Sequence, residues 1–531
     1  MTPTPIESGA GVSRSALSIE EGVRRRVLVV GNGMAGARFA EELRQRDPGA
    51  TRFAITVVGE EPHEAYNRVL LSAVVGGTLT PRETRLKPAG WWTARHIDVL
   101  TGVQVTGIEP TARTATLEGG AVPGQVLAWD ELVLATGSTP FVPTIAGDTG
   151  PESGVVAFRT IDDCGRIAEH VRAARHAVVI GGGLLGIEAA RGLLRKGVDV
   201  TVVHAAGVPM ERQMDADGGA VLTRVLHEIG ARLLLGRCVV ARHADAGTPT
   251  VLLDDGTSLP ADLVVVSTGV RPRVDLAQRI GLHVDRGIVV DDRLATSVPH
   301  VHAVGECSQH RGVVPGLVQP GWDQARVLAD VLSGDDTARY EGTNVLTRLK
   351  AHDIDLTSMG RIDVDVHDRD HEVLAFTDPR RGRYAKLVLR NDRLVGAILL
   401  GVGDAAGPLT QLYDTAAVVP RDRLTLMLGR AVTRSGGPES VNLAEMPGPT
   451  VICRCNTVTK SQIVSAHRDG CTTVEAVAES TRATTGCGTC SSAVEGLCAW
   501  LATAEPPQPA ARAPQRPAQP RPVSASAEGA A

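Results

Sequence analysis

Arg26-Val27-Leu28-Val29-Val30-Gly31-Asn32-Gly33-Met34-Ala35-Gly36 begins the patterned part of this chain and decides its fold class. The run 26–30 has the length and apolar character of a buried strand, and glycines stop it. A helical apolar pattern follows. Gly31 permits the tight turn out of the strand, and Gly33 lets backbone approach a pyrophosphate. Gly36 allows helix to pack closely on strand, and the helix N-terminus stabilises phosphate charge. A second strand at 53–58 runs out through Gly59-Glu60-Glu61. That is about 25 residues past the glycines, where an acidic side chain accepts hydrogen bonds from ribose hydroxyls. Glu60 is the first candidate and Glu61 the next.

The same arrangement recurs. His176-Ala177-Val178-Val179-Ile180 stops at Gly181-Gly182-Gly183-Leu184-Leu185-Gly186-Ile187-Glu188, and a strand at 198–203 follows the helical stretch. Gly181, Gly183 and Gly186 repeat the roles of Gly31, Gly33 and Gly36. This second unit ends in His204, where an NAD-specific site places a carboxylate. A carboxylate repels a 2′-phosphate and an imidazole does not; no arginine follows at once to clasp one, so coenzyme preference stays open. One glycine hexapeptide among 58 glycines is weak evidence, but two copies, each in a complete strand–turn–helix–strand frame, are strong. The fold class is therefore α/β, with two Rossmann-like dinucleotide-binding domains produced by internal duplication.

Bulk properties agree. The 531 residues exceed one ordinary core, and 43% apolar and 22% charged residues with 58 Gly and 31 Pro give a globular profile rich in turns. A net charge of −5 gives no reason to expect nucleic acid or an anionic membrane as partner. The short Arg24-Arg25-Arg26 cluster reads as a strand flank. No apolar run reaches the roughly 18 residues of a membrane span, and Glu7, Glu20 and Glu21 interrupt any signal-like core. The expected location is cytoplasmic, where thiols stay reduced and the nine cysteines serve metal or redox chemistry instead of disulfides.

Further motifs carry a family resemblance. Leu132-Val133-Leu134-Ala135-Thr136-Gly137 and Val264-Val265-Val266-Ser267-Thr268-Gly269 resemble the strand-plus-glycine signatures that close each nucleotide domain in two-dinucleotide-binding flavoproteins, the group of ferredoxin, rubredoxin and nitrite reductases. Val301-His302-Ala303-Val304-Gly305-Glu306-Cys307 resembles the second FAD motif, with Glu306 in the place of the acid that binds the ribityl chain. Gly59-Glu60-Glu61-Pro62, Tyr66-Asn67-Arg68-Val69-Leu70-Leu71-Ser72, Met210-Glu211-Arg212-Gln213-Met214-Asp215, Leu349-Lys350 and Met359-Gly360 narrow the match. Together they are similar to the flavin half of the NAD(P)H-dependent assimilatory nitrite reductase large subunit and to the electron-transfer subunit of assimilatory nitrate reductase, over residues 24–500. The resemblance implies FAD contacts from Arg68, Thr136, Gly137, Gly305 and Glu306, and a nicotinamide-placing role for Glu188. No cysteine pair follows the first glycine turn, so a disulfide-reductase mechanism is not expected. Cys307 reads as a small buried hydrophobe.

Six of the nine cysteines lie between 453 and 498. Cys453-Arg454-Cys455 and Cys487-Gly488-Thr489-Cys490 form two close pairs, and four thiolates hold either an iron–sulfur cluster or a structural zinc. The spacing resembles the small [2Fe–2S] domain of bacterioferritin-associated ferredoxin, with Val464, Val474 and Val477 as its apolar face. A flavin without a dithiol needs a one-electron acceptor, which favours iron–sulfur. Cys471 and Cys498 read as buried bystanders, although Cys471 is an alternative ligand.

The expected plan is a flexible leader (1–23), an FAD-binding domain (24–150 and 273–335) split around an NAD(P)H-binding domain (151–272), an α+β interface domain (336–433), a linker (434–449), a small helical [2Fe–2S] domain (450–502) and a disordered Pro- and Ala-rich tail (503–531). The expected function is an FAD- and [2Fe–2S]-dependent NAD(P)H oxidoreductase acting as the electron-transfer component of nitrate or nitrite assimilation. With no sirohaem-type domain in view, its partner is a separate reductase polypeptide or small carrier, and a homodimer is compatible. The alternatives are a reductase for a ferredoxin- or rubredoxin-like carrier in another pathway, or a flavin oxidase with a zinc-stabilised docking module. No side chain is assigned a general acid or base role, because in such enzymes the cofactor carries the chemistry.

Overall fold

The computed structural model describes residues 24–428, apart from 121, 148, 245–247 and 352–353, and residues 446–504, apart from 454–457 and 485–489. The expected leader, most of the linker and the tail past Ala504 lie outside the described residues. The chain divides into two compact units, Met1–Gly437 and Pro438–Ala531.

In chain order the first unit begins with β1 (Arg25–Val30), α1 (Met34–Gln45), β2 (Phe53–Gly59), α2 (Leu71–Gly76), β3 (Ile97–Thr101) and β4 (Glu131–Leu134). It continues with β5 (Val155–Ala157), α3 (Ile161–Val171), β6 (His176–Ile180), α4 (Leu184–Leu194), β7 (Asp199–His204), α5 (Ala216–Glu228), β8 (Arg232–Leu235) and β9 (Leu263–Val266). It then returns through β10 (Val301–Ala303) and α6 (Val318–Ser333). The first sheet has the order β10-β4-β1-β2-β3 and the second β5-β9-β6-β7-β8. Every pairing in both is parallel. The two sheets are thus the same figure drawn twice, with a glycine turn leaving the central strand in each. Continuous apolar runs follow from burial on both faces: Val27, Leu28, Val29 and Val30 are all buried, as are Ala177, Val178, Val179 and Ile180. α6 closes the first domain by docking on α1, where Trp322 Nε1 donates to the Met34 carbonyl at 3.1 Å. Of the Arg24–Arg26 cluster, Arg24 precedes β1 while Arg25 and Arg26 form its first two residues, Arg25 pairing with Glu131 and Arg26 with Asp130.

Beyond α6 the chain forms β11 (Leu346–Ala351), β12 (Ile354–Gly360), β13 (Glu372–Asp378), β14 (Arg383–Arg390) and β15 (Arg393–Leu400), then α7 (Gly403–Thr415). These strands make one antiparallel sheet, order β11-β12-β15-β14-β13. Two of the five carry near-continuous apolar runs, at 384–389 and 394–399. Asn391 and Asp392, both at positive φ, join them as a two-residue hairpin whose twist suits flanking strands. The period-2 rule sorts the sheet faces. Tyr384, Leu356, Ile398 and Leu400 pack with Met210, Met214 and Leu222 of the second nucleotide domain. Ala385, Leu387, Leu389 and Leu399 pack with Leu409 of α7.

Among its described residues the second unit holds a short antiparallel pair, β16 (Val451–Cys453) and β17 (Val458–Thr459), and three helices, α8 (Lys460–Arg468), α9 (Val474–Thr481) and α10 (Ser491–Ala504). A reciprocal capping box starts α8: the Thr459 hydroxyl accepts from Gln462 N, and the Gln462 side chain accepts from Thr459 N. Thr473 caps α9 through Ala476 N at 3.2 Å. Val477, Ile463, Val494, Leu497 and Leu501 make a core of this unit's own, with Val464 and Val474 packed at its edge as the sequence pattern required.

Candidate functional site

Both glycine turns are shaped by the same three constraints. Gly31 sits at φ +120° and Gly181 at φ +112°, and a Cβ on either would overlap the carbonyl oxygen of Ala135 or Ser267, the residue just past the neighbouring strand. A Cβ on Gly36 or Gly186 would overlap the carbonyl of Gly31 or Gly181. At Gly33 and Gly183, by contrast, no atom lies within 4 Å of the missing Cβ. Four glycines are required by the protein's own packing; two face open space at a helix N-terminus. That is the fit a pyrophosphate needs, since backbone N–H groups converge there with the helix dipole behind them.

The strand ends differ between the two copies. By register, Val30 lies beside Val58 and Ile180 beside Val203, so Gly59 and His204 are counterparts and Glu60 lies one residue further out. In the first domain bulk comes from the turn: Asn32 Cβ fills the place of a Cβ on Gly59, and the Asn32 amide Oδ1 and Nδ2 are buried without hydrogen-bond partners among the described residues. In the second it comes from the strand, where the His204 ring lies 2.9 Å from the position of a Cβ on Gly182. The structure also separates the two acidic candidates. Glu60 is exposed at the strand exit and pairs with Arg273. Glu61 is engaged internally, accepting from Tyr66 Oη at 2.6 Å and from Arg68.

Arg68 is held by Glu61, donates to the Arg159 carbonyl at 3.2 Å, and lies 4.9 Å from the Tyr66 ring centroid. Burial opposes its charge, but Tyr66 and Glu61 outweigh burial and raise its pKa. Burial, with the Glu61 carboxylate adding, pushes the Tyr66 phenol well above its ordinary value. Glu306 follows the expected Gly305 turn; its Oε2 accepts from Ser138 Oγ at 2.6 Å and from Arg159. Arg159 is the residue that sequence reading missed. It precedes the Thr160 cap of α3, 147 positions from Glu306, and no local pattern announces it.

Thr136 and Gly137 have a visible structural task. The Thr136 hydroxyl donates to the Arg273 carbonyl at 2.8 Å, and Arg273 N donates to the Gly137 carbonyl at 2.9 Å. In mirror fashion Thr268 donates to the Phe141 carbonyl, and Phe141 N to Gly269 at 2.9 Å. The two crossover segments, Ser138–Pro140 and Val270–Pro272, pair antiparallel between these contacts. Each closing signature therefore grips the strand coming back from the other domain. Glu188 lies half-buried on α4, just past Gly186.

Cys164 and Cys307 are buried and unpaired with any cysteine. Burial pushes the Cys164 thiol up to about 12 and raises Cys307 as well. Neither suits a redox dithiol. In the second unit Cys453 and Cys490 are buried near the shared core, and Thr484 N approaches Cys490 Sγ at 3.2 Å. A backbone N–H directed at sulfur is the contact that stabilises thiolate character in a cluster ligand. Cys455 and Cys487 lie outside the described residues. Cys498 is buried, whereas Cys471 is only half-buried.

With this geometry in place, comparison with known proteins is informative. Residues 25–325 match the family model for pyridine nucleotide-disulphide oxidoreductases, more than half of the chain. The chain belongs to that family. Residues 346–409 match the rubredoxin NAD+ reductase C-terminal domain, and residues 451–500 the BFD-like [2Fe-2S] binding domain. The oxidoreductase therefore uses FAD and a pyridine nucleotide and carries a small helical [2Fe–2S] domain, which disfavours the zinc alternative. Over 475 residues it is 36% identical to a nitrite reductase [NAD(P)H] of Bacillus subtilis (strain 168), covering 89% of this chain and 57% of that protein. Over 488 residues it is 35% identical to the assimilatory nitrate reductase electron transfer subunit of the same organism, covering 92% and 61%. The chain thus spans about three fifths of the length of these curated relatives. Among solved structures it resembles the putidaredoxin reductase–putidaredoxin complex, with a TM-score of 0.67, 27% identity, and 75% of this chain and 95% of that one covered. Among the described residues no helix is long and apolar enough to cross a membrane.

Proposed function

We propose that this oxidoreductase takes electrons from NAD(P)H and delivers them, through its [2Fe–2S] domain, to a nitrate or nitrite reductase polypeptide in nitrogen assimilation. The observation that supports this reading most is the order of domains: the same three modules follow one another along a chain about 35% identical to two nitrogen-assimilation proteins. We assign 24–150 and 273–335 to FAD, 151–272 to NAD(P)H, 336–433 to the interface domain and 450–502 to the cluster.

Each site residue has a physical task in this scheme. Gly33 and Gly183 admit the two pyrophosphates, while Gly31, Gly36, Gly181 and Gly186 hold the turns that present them. Glu60, released from Arg273, accepts from the adenosine ribose of FAD. Glu306, oriented by Arg159 and Ser138, holds the ribityl chain; Arg68, Thr136, Gly137 and Gly305 complete that side. Glu188 places the nicotinamide. Bound FAD supplies the conversion from hydride transfer to single-electron release, and the polypeptide supplies orientation and electrostatics. Cys453, Cys455, Cys487 and Cys490 ligate the iron. The acting location in this reading is the cytoplasm.

Anaerobic titration of the purified full-length chain with NADH and with NADPH tests the proposal. Flavin bleaching followed by an EPR signal from the reduced cluster supports it. A preparation with flavin and iron fully loaded that stays EPR-silent after reduction by nucleotide or dithionite defeats it. The likeness to putidaredoxin reductase supports a second reading, a reductase for a small electron carrier of another pathway. Assay with such carriers against a nitrate or nitrite reductase polypeptide separates the two.

A further inference from the structure

His204 ends β7 at the position where the adenosine ribose of a pyridine nucleotide meets a Rossmann-like sheet. Its ring does not face solvent freely: it is packed against Gly182 of the phosphate turn, and its side chain is 11% exposed. From there Nε2 reaches Glu211 Oε2 at 3.0 Å. The segment carrying Glu211 is itself brought back to the turn, because Met210 adopts φ +55° and its N–H donates to the Gly182 carbonyl at 2.9 Å. Glu211 therefore arrives at the strand end from outside the strand, tethered by backbone on one side and by an imidazole on the other. Between His204 and Glu211 the sequence is Ala205-Ala206-Gly207-Val208-Pro209-Met210, with no cation.

We propose that Glu211, held by His204, is the carboxylate that selects NADH over NADPH in this chain. The strand-end acid of an NAD site is displaced by seven residues in sequence and restored in space through the His204 contact. A 2′-phosphate seated there meets the like charge of Glu211, and the strand end offers it an imidazole where an NADP site offers a guanidinium. The inference rests on the assignment of the second glycine turn to the pyridine nucleotide.

The test uses the FAD-loaded full-length chain, with calorimetric Kd values for ADP-ribose and 2′-phospho-ADP-ribose at about pH 8, where a phosphate monoester carries close to two negative charges. Steady-state kcat/KM for NADH and NADPH accompanies them. The unmodified chain is expected to bind ADP-ribose more tightly, and Glu211→Gln to narrow the ratio roughly tenfold by improving the phosphorylated probe. That is the scale Coulomb's law gives for a carboxylate and a phosphate a few ångströms apart in a water-like medium. Glu228→Gln, which removes an exposed charge from the same domain, should leave the ratio unchanged. A preference for 2′-phospho-ADP-ribose in the unmodified chain would assign the discriminating role to exposed Arg212 and overturn the proposal, as would an unaltered ratio in Glu211→Gln. Failure of both probes to bind would instead remove the underlying nucleotide-site assignment.

Discussion

Asp215 and Tyr384, 169 residues apart, are joined by a 2.7 Å hydrogen bond from the Tyr384 phenol to Asp215 Oδ2. The same oxygen accepts from Lys386 Nζ at 2.9 Å, while Oδ1 caps α5 through Gly218 N at 3.0 Å. One carboxylate thus starts a helix of the second nucleotide domain and anchors a strand of the interface sheet. Burial opposes the Asp215 charge, yet its hydrogen bonds from Tyr384, Lys386 and Gly218 hold its pKa below the ordinary value. Asp215→Asn should cost about 3 kcal/mol, since it leaves the buried Lys386 ammonium with only the neutral Ile362 carbonyl and no counter-charge, and weakens the cap. Urea unfolding of the apo and FAD-loaded chain would measure it; a change under about 0.5 kcal/mol, the size of a neutral surface substitution, would show that the contact carries no weight.

The glycine turns predict a split between stability and binding. Gly36→Ala must displace the Gly31 carbonyl and should lower the melting temperature of the apo protein. Gly33→Ala meets nothing within 4 Å and should leave apo stability intact while greatly reducing flavin content, because the added methyl occupies the space the pyrophosphate needs. Equal flavin content in Gly33→Ala and the parent would refute the placement.

Acid should act through Glu131. It is buried, yet hydrogen bonds from His302 Nε2 at 3.1 Å and His300 Nδ1 at 3.0 Å, with Arg25 close by, overcome burial and bring its pKa down to about 2. A carboxylate with a depressed folded-state value stabilises fully above its unfolded pKa. That contribution, on the order of 3 kcal/mol, is lost as pH falls from about 4.5 to about 2. Glu131→Gln should remove the acid sensitivity in that window and lower stability at neutral pH, as denaturant midpoints against pH would reveal.

Thiol accessibility gives a direct check on the absence of a redox dithiol. Native-state alkylation with iodoacetamide should label exposed Cys238 quickly and leave Cys164 and Cys307 unmodified, because burial both hides these thiols and keeps them protonated. Peptide mass mapping after quenching reads the outcome; fast labelling of Cys307 would contradict its packing role.

Serine replacements sort the C-terminal cysteines. Cys453→Ser and Cys490→Ser should lose iron, whereas Cys498→Ser, in the core, and Cys471→Ser, at its edge, should retain it with at most a modest loss of stability. Iron retention in Cys453→Ser alongside loss in Cys471→Ser would exchange their roles.

What the sequence made legible was local. The turns, the strands leading into them and the capped helices of the small unit are written within about 30 residues each, the reach of one βαβ unit or less. Arg159 with Glu306, Glu131 with His300 and His302, and Asp215 with Tyr384 are not, because each pair joins segments more than 140 residues apart that only the fold brings together. The strands at 346–351, 354–360 and 372–378 escaped for another reason. They interleave charged or hydroxyl side chains such as Arg348, Thr357, Ser358 and Glu372 with apolar ones, and without a continuous run they look like loop. Glu60 stood ahead of Glu61 in sequence only by position, whereas in the fold Tyr66 and Arg68 engage the second of them.

The paired crossovers between the nucleotide domains carry an implication for how such proteins diversify. A module attached by two cords that run in opposite directions and knot to each other's doorposts cannot be exchanged by a single recombination event at one border. Swapping the coenzyme half for another would require both Ser138–Pro140 and Val270–Pro272 to travel with it, together with the Thr136 and Thr268 clasps. Chimaeras cut at one crossover alone should misassemble, and those cut outside both should fold.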